Sequence, residues 1–187
     1  MSNFTKLTWP IVVILSLFSC SSHSTNEDTN ACDMIDIAMT SNHFGIGRST
    51  IKEVSRRESK DGSRTSCEWG LKDSSGAAFL IHLKKQERNS KITNPNYFEN
   101  SIQYEIDNGR IAFGKSVDVK AGILGDHENG AFSIPLENKF TKSISYTWRE
   151  KEERRYTLTL TKTQDSRDGV VAPTKSELEK IASLFRF

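Results

Sequence analysis

The chain has 187 residues, of which 27% are charged and 35% are hydrophobic, and its formal net charge is +2. This composition is typical of a globular protein and excludes a wholly disordered chain. The length provides for one domain with its own core and is too short for two domains of usual size. A nearly neutral chain lacks the charge that steers proteins toward polyanions, so no nucleic-acid partner is expected.

The first nineteen residues have the pattern of a secretory signal. Lys6 precedes an apolar run over 7–18. A run of about 12 residues is about 18 Å long as a helix, too short to cross a hydrocarbon core of about 30 Å. Pro10 and the polar residues that follow argue against a buried N-terminal helix. We therefore expect residues 1–19 to be a signal peptide.

The end of this leader carries a specific motif, Leu17-Phe18-Ser19-Cys20. It resembles the lipobox of bacterial lipoproteins, in which Leu stands three residues before the cysteine and a small residue directly before it. The resemblance implies cleavage between Ser19 and Cys20, diacylglycerol on the Cys20 sulfur and acylation of the new amine. Ser21, where an Asp would favour the inner membrane, implies sorting to the outer membrane.

A polar segment separates the lipid from the rest of the chain. Residues 21–30 read SSHSTNEDTN and contain no apolar residue, so they cannot form a core. We expect residues 20–30 to be a flexible tether with a mean reach of about 17 Å. Residues 31–187 then form a single globular domain, held close to the membrane but free to reorient.

Two cysteines remain in the expected domain, Cys32 and Cys67. In an oxidising compartment an even pair usually forms a disulfide, so we expect a bridge between them. Zinc is a weaker alternative because no C-x-x-C or nearby histidine completes a site. A redox pair is also weaker, since C-x-x-C is absent.

The first half of the domain is predicted to contain a helix, three strands and a second helix. Asp33 is expected to cap a helix that ends near Phe44. Apolar residues then alternate in two clear strands, which follow a weaker strand over 50–57. The alternating residues are Cys67, Trp69 and Leu71, then Phe79, Ile81 and Leu83. A helix is expected from Asn94 to Asn108, with Phe98, Ile102 and Ile106 on its apolar side.

The second half is predicted to contain four strands and a closing helix. The strands are expected over 111–119, 131–134, 143–149 and 154–162. The last two form a hairpin, with Ile144, Tyr146 and Trp148 on one face of the first strand. Residues 174–177 (TKSE) form a capping-box pattern that starts the helix.

This order of elements predicts an α+β fold, an antiparallel sheet with helices packed mainly on one face. Each half carries a helix and at least three strands. The halves are therefore candidates for distant structural repeats, although no sequence period accompanies them.

Three short motifs are similar to those of a family of small bacterial lipoproteins of unknown function. They are Cys32-Asp33-Met34-Ile35, Cys67-Glu68-Trp69 and the turn Leu124-Gly125-Asp126. The similarity is spread over most of 32–187. It supplies no catalytic residues.

Little in the sequence points to catalysis. No histidine lies in a paired metal motif, and no G-x-S-x-G motif occurs. Ser49-Thr50-Ile51-Lys52 matches S-x-x-K, but its S-D-N and K-T-G partners are missing, so it is interpreted as a chance match. No catalytic residue, metal or cofactor is therefore expected. The densest polar cluster is Asp126, His127 and Glu128, for which a surface turn between glycines is favoured over a cation or proton-transfer site. His82 is interpreted as a residue on a sheet face.

Three functional hypotheses remain. The leading one is a non-enzymatic, lipid-anchored envelope protein that binds another protein as an assembly factor, accessory subunit or inhibitor, for example an immunity protein. The second is a small-ligand-binding lipoprotein, which an apolar pocket of more than a few hundred Å³ would favour. The third is an envelope hydrolase, which requires titratable groups that converge in a cleft, with His127 as the candidate.

Overall fold

The computed structural model describes residues 30–112, 115–133, 141–163 and 171–187. The expected signal peptide, Ser19, Cys20 and the tether up to Thr29 lie outside these ranges. Within them, the helices are too short to cross a membrane.

The first half contains a helix, three strands and a second helix, in the predicted order. A 3-10 helix at Ala31–Asp33 comes first, and another lies at Arg48–Thr50. The main elements are α1 (Ile37–Phe44), β1 (Lys52–Glu58), β2 (Arg64–Lys72), β3 (Ala78–Glu87) and α2 (Tyr97–Asn108).

The second half contains two short strands, four longer ones and the closing helix. These elements are β4 (Arg110–Ala112), β5 (Lys115–Val117), β6 (Val119–Leu124), β7 (His127–Ser133), β8 (Thr141–Glu150), β9 (Arg154–Thr163) and α3 (Lys175–Ala182). Thr174 and Glu177 form the predicted capping box of α3.

Seven strands form one antiparallel sheet in the order β1-β2-β3-β9-β8-β7-β6, and β4 pairs with β5 separately. The α+β class with an antiparallel sheet is therefore confirmed. Two meanders, β1–β3 and β6–β9, meet where β3 pairs with β9.

Apolar residues on alternate positions give the sheet one apolar side. We call this side the core face; it carries the buried side chains of Trp69, Ile81, Leu83, Trp148 and Leu158. Both α1 and α3 pack against it, α3 through its buried apolar stripe. The apolar alternation in the sequence predicts this core correctly.

The other side of the sheet, which we call the polar face, carries mainly hydroxyl and charged groups. Over β6–β8 it is covered by α2, whose Ile102 packs with Val119 and Ala131. Arg155 of β9 donates a hydrogen bond to Ser101 of α2 (2.7 Å). Two helices thus lie on the core face and one on the polar face. This arrangement differs from that of two repeats related by a twofold axis normal to the sheet. Such an axis would place the leading helices of the two halves, α1 and α2, on the same face.

Element boundaries differ from the predictions at two helix starts. The side chain of Asp36, rather than Asp33, caps α1 by accepting a hydrogen bond from the Met39 N–H (3.0 Å). The chain before it is fixed by a bridge between Ile35 and Phe185, so the helix cannot begin sooner. Helix α2 starts at Tyr97. Before it, the side-chain oxygen of Asn94 accepts a hydrogen bond from the Asn96 N–H (2.9 Å), which holds these residues in a turn.

The strand predicted over 111–119 is wrong as a single element. The chain forms the β4–β5 hairpin and then enters β6, with Asp118 between β5 and β6. Glycine at position 114, between the paired strands, is the turn signal that the prediction overlooked.

Gly130 of β7 is required by close packing. The ring of Tyr146 lies over it, so that a Cβ atom at position 130 would lie 2.3 Å from the Tyr146 hydroxyl oxygen and 2.6 Å from the Thr147 carbonyl oxygen. We expect Gly130→Ala to lower the free energy of unfolding by about 2 kcal/mol through overpacking, measured by chemical denaturation.

Gly47→Ala is the matched control for this substitution. Its backbone is extended (φ −69°), and the nearest atom that an added Cβ would meet is the Ser49 hydroxyl oxygen at 3.8 Å. Equal losses of stability in the two variants would contradict the packing assigned to Gly130.

Candidate functional site

The predicted bridge between Cys32 and Cys67 is present. Their sulfur atoms are 2.07 Å apart, and both residues are buried on the core face. The adjoining Ala31 N–H donates a hydrogen bond to the Thr65 hydroxyl (3.1 Å), and the Asn30 side chain caps the first 3-10 helix. The start of the domain is therefore tied to β2, directly after the expected tether.

The same cysteines belong to a group of potential metal ligands. Cys32, Cys67 and Glu53 have ligand atoms within 4.8 Å of one another. However, zinc binds cysteine as the thiolate, and both sulfur atoms are used in the disulfide. The carboxylate of Glu53 is held by the Arg56 guanidinium (3.0 Å). This group therefore does not form a zinc site in the oxidised protein.

The structure separates the polar cluster predicted at 126–128. Asp126 lies in a turn, His127 begins β7 with its ring on the core face, and Glu128 is exposed. The His127 ring stacks on Trp148 (centroids 4.7 Å apart) and meets the edge of Phe187 (4.9 Å). Its position is that of an aromatic core residue.

The charged group nearest to the His127 ring comes from another strand. The Nδ1 atom of His127 lies 3.8 Å from a carboxylate oxygen of Glu150, at the end of β8. Burial lowers the pKa of His127, while Glu150 and Asp126 act in the opposite direction. Sequence reasoning missed this pair because Glu150 is distant in the chain and enters through the pairing of β7 with β8.

The buried hydroxyl beside this cluster is already hydrogen-bonded. The Tyr146 hydroxyl lies 2.9 Å from the Gly122 carbonyl oxygen and 2.7 Å from the His127 carbonyl oxygen. Burial raises the pKa of Tyr146 to about 12. The hydroxyl thus links β8, on which Tyr146 lies, to β6 and β7.

His82 lies on the polar face of β3, opposite Glu68 of β2 and Thr159 of β9. Its pKa is lowered to about 4, first by burial and then by the charges of Lys84 and Arg57. The imidazole is therefore neutral at pH 7. This placement on a sheet face agrees with the interpretation from the sequence.

A cavity of about 870 Å³ lies between β5–β8 and the segment that leads into α3. Phe132, Ile144 and Pro173 supply much of its apolar lining, and Lys120 and Lys175 lie along it. The Lys175 ammonium is 5.0 Å from the centre of the Phe132 ring. Sequence reasoning could not find this cavity, because its walls come from segments far apart in the chain.

The two edges of the sheet differ in charge. Strand β1 (KEVSRRE) has five charged residues of seven, whereas β6 (VKAGIL) has one of six. Charged side chains protect an edge from pairing with other strands. Among the described residues no strand pairs with the outer side of β6. Ile123, at the bulge of this strand, is 52% exposed.

The fold and these surfaces define an α+β domain whose start is fixed by a disulfide. Comparison of the chain with protein-family models finds no matching family. Neither the curated proteins nor the solved structures contain a match.

Proposed function

We propose that the chain is a lipid-anchored, non-enzymatic protein of the bacterial cell envelope that binds another envelope protein. Anchoring rests on the lipobox, with cleavage between Ser19 and Cys20 and fatty chains on Cys20. Two or three chains, at about 0.8 kcal/mol for each buried CH₂, make a durable anchor. Ser21 supports the outer membrane, with the domain facing the periplasm.

The observation that supports protein binding is the nearly uncharged edge of β6, with which no strand pairs on its outer side within the part of the chain that the structure describes. Such an edge offers backbone hydrogen-bonding groups in a row, which an extended segment of a partner can use by adding a strand. Ile123 adds an exposed apolar side chain beside that row. The opposite edge, β1, has the charge that blocks this mode of binding.

A photo-crosslinking residue placed at Ile123 in living cells tests this proposal. Val54 is the matched control, because it is also an exposed aliphatic residue (57%) at a bulge, but on the β1 edge. We expect one discrete adduct from position 123 and none from position 54. Adducts of equal yield at both positions, or none at either, would contradict binding at β6.

The cavity beside α3 favours a second candidate function, binding of a small amphiphile. Its volume of about 870 Å³ lies within the range of ligand sites. Apolar walls suit an acyl or similar chain, and Lys120 and Lys175 suit an anionic head group.

A fluorescent fatty acid provides the test. Reversal of the lysine charge in Lys175→Glu is expected to weaken binding by about tenfold, whereas Lys180→Glu, on the same helix, leaves it unchanged. No saturable binding to the unsubstituted protein would remove this candidate.

A further inference from the structure

A pocket of about 460 Å³ lies on the polar face over β1–β3, at the opposite end of the strand order from β6. Four basic residues line it: Arg57 of β1, Arg64 of β2, and Lys84 and Lys85 of β3. Lys85 is buried on the core side and pairs with Glu87, so Arg57, Arg64 and Lys84 are the basic residues of the polar face here. The strand register places Arg57, Ser66 and Lys84 in one row across three strands, with Arg64 and Gln86 in the next row. Side chains paired in this way project from the same face.

Among the described residues, none forms an ion pair with Arg57, Arg64 or Lys84. Glu58 also borders the pocket, but its register partner Thr65 faces the core side. Its carboxylate accepts a hydrogen bond from the Asn30 side chain there (3.3 Å).

The neighbouring cations of the polar face, in contrast, form ion pairs. Arg149 pairs with Glu99 (3.2 Å), and Arg155 pairs with Glu105, both acids belonging to α2. The chain therefore supplies counter-charges where α2 covers the sheet and leaves the adjoining pocket positive.

The pKa of Lys84 reflects this excess of positive charge. Its pKa is lowered by burial first and then by the charges of Arg110, Arg155 and Arg57. Like charges held together without a counter-ion oppose folding, and a bound anion would relieve that repulsion.

Apart from Glu58 and Lys85, which belong to the core side, the rest of the lining is neutral and hydrogen-bonding. Ser66 supplies a hydroxyl and Gln86 an amide, and Tyr97, at the start of α2, adds a partly exposed ring with a hydroxyl. These groups match an uncharged, hydroxylated part of a ligand.

We infer that this pocket binds a small phosphorylated sugar. Arg57, Arg64 and Lys84 contact the phosphate, because guanidinium and ammonium groups make charge-assisted hydrogen bonds to phosphate oxygens. Ser66 and Gln86 contact the sugar hydroxyls. The site is separate from the β6 edge, so it stands whether or not that edge binds a protein.

Titration calorimetry with the full-length protein in neutral detergent tests the site. The probes are glucose 6-phosphate, glucose and inorganic phosphate at constant ionic strength. The pocket variant is Arg57→Gln with Lys84→Gln. The control, Arg48→Gln with Lys180→Gln, removes the same charge from exposed positions outside the pocket. Thermal unfolding of each variant establishes that it is folded.

We expect saturable binding of glucose 6-phosphate, weakened by about tenfold or more in the pocket variant and unchanged in the control. Glucose should not bind, and inorganic phosphate should bind less tightly than the sugar phosphate. Absence of sugar-phosphate binding would overturn the inference, as would equal losses in both variants. Equal affinity for inorganic phosphate would overturn the assignment of the sugar.

Discussion

Removal of the disulfide in Cys32→Ala with Cys67→Ala is expected to lower the free energy of unfolding markedly. The bridge closes a loop between residues separated by 35 positions. In the chain-entropy account, a loop of this length contributes about 4 kcal/mol by restricting the unfolded chain. Urea denaturation of the two proteins, without reductant, measures the difference.

Reduction of the unsubstituted protein provides the control. A reductant should move its unfolding midpoint toward that of the double variant and leave the variant unchanged. Identical midpoints for oxidised protein and variant would contradict a structural role for the bridge. Because Cys32 lies close to the tether, this loss would also release the start of the domain from β2.

The second large effect is acid destabilisation through His82. Its pKa is about 4 in the folded protein, against about 6.5 for an unperturbed imidazole. The unfolded chain therefore binds the proton more readily, and the stability that His82 contributes is complete above pH 6.5. This contribution to the free energy of unfolding, about 3 kcal/mol, is lost as the pH falls from about 6.5 to about 4.

Unfolding at pH 7.5 and at pH 4.5 measures this contribution. His82→Gln should reduce the loss of stability between the two values by about 2 to 3 kcal/mol. Acids such as Asp61 and Glu177, whose pKa values are lowered, contribute equally in both proteins and cancel. His43→Gln, at an exposed position, is the matched control. An unchanged pH dependence in His82→Gln would contradict the burial of a neutral imidazole.

The elements that the sequence predicted well are those with strong periodicity. In β8 and β9 the alternation places Tyr146, Trp148 and Leu158 on the core face, because successive side chains of a strand point to opposite sides. Helix α3 combines a capping box with an apolar stripe, two signals that agree. The disulfide followed from the count of cysteines together with the expected compartment.

These local signals do not predict how elements far apart in the chain are arranged. The apolar stripe of α2 indicates that one side is buried but does not say against which face of the sheet. In the structure, Ile102 of α2 packs with Val119 and Ala131 on the polar face, and Glu99 and Glu105 pair there with arginines of β8 and β9. Such pairs depend on the strand order β9-β8, a tertiary property.

The candidate sites show the same limit. His127 was found as part of a local polar cluster, but its ring contacts Trp148 and Phe187, which are far away in sequence. The positive pocket needed the register of β1, β2 and β3, which brings Arg57 and Lys84 into one row. Neither arrangement has a signature in the order of residues alone.

The most direct test of the proposed envelope function is the mass of the N-terminal peptide of the protein purified from bacterial membranes. We expect a chain that begins at Cys20, with diacylglycerol on its sulfur and an acyl group on its amine. A chain that still begins at Met1, or a Cys20 with a free thiol, would contradict this expectation.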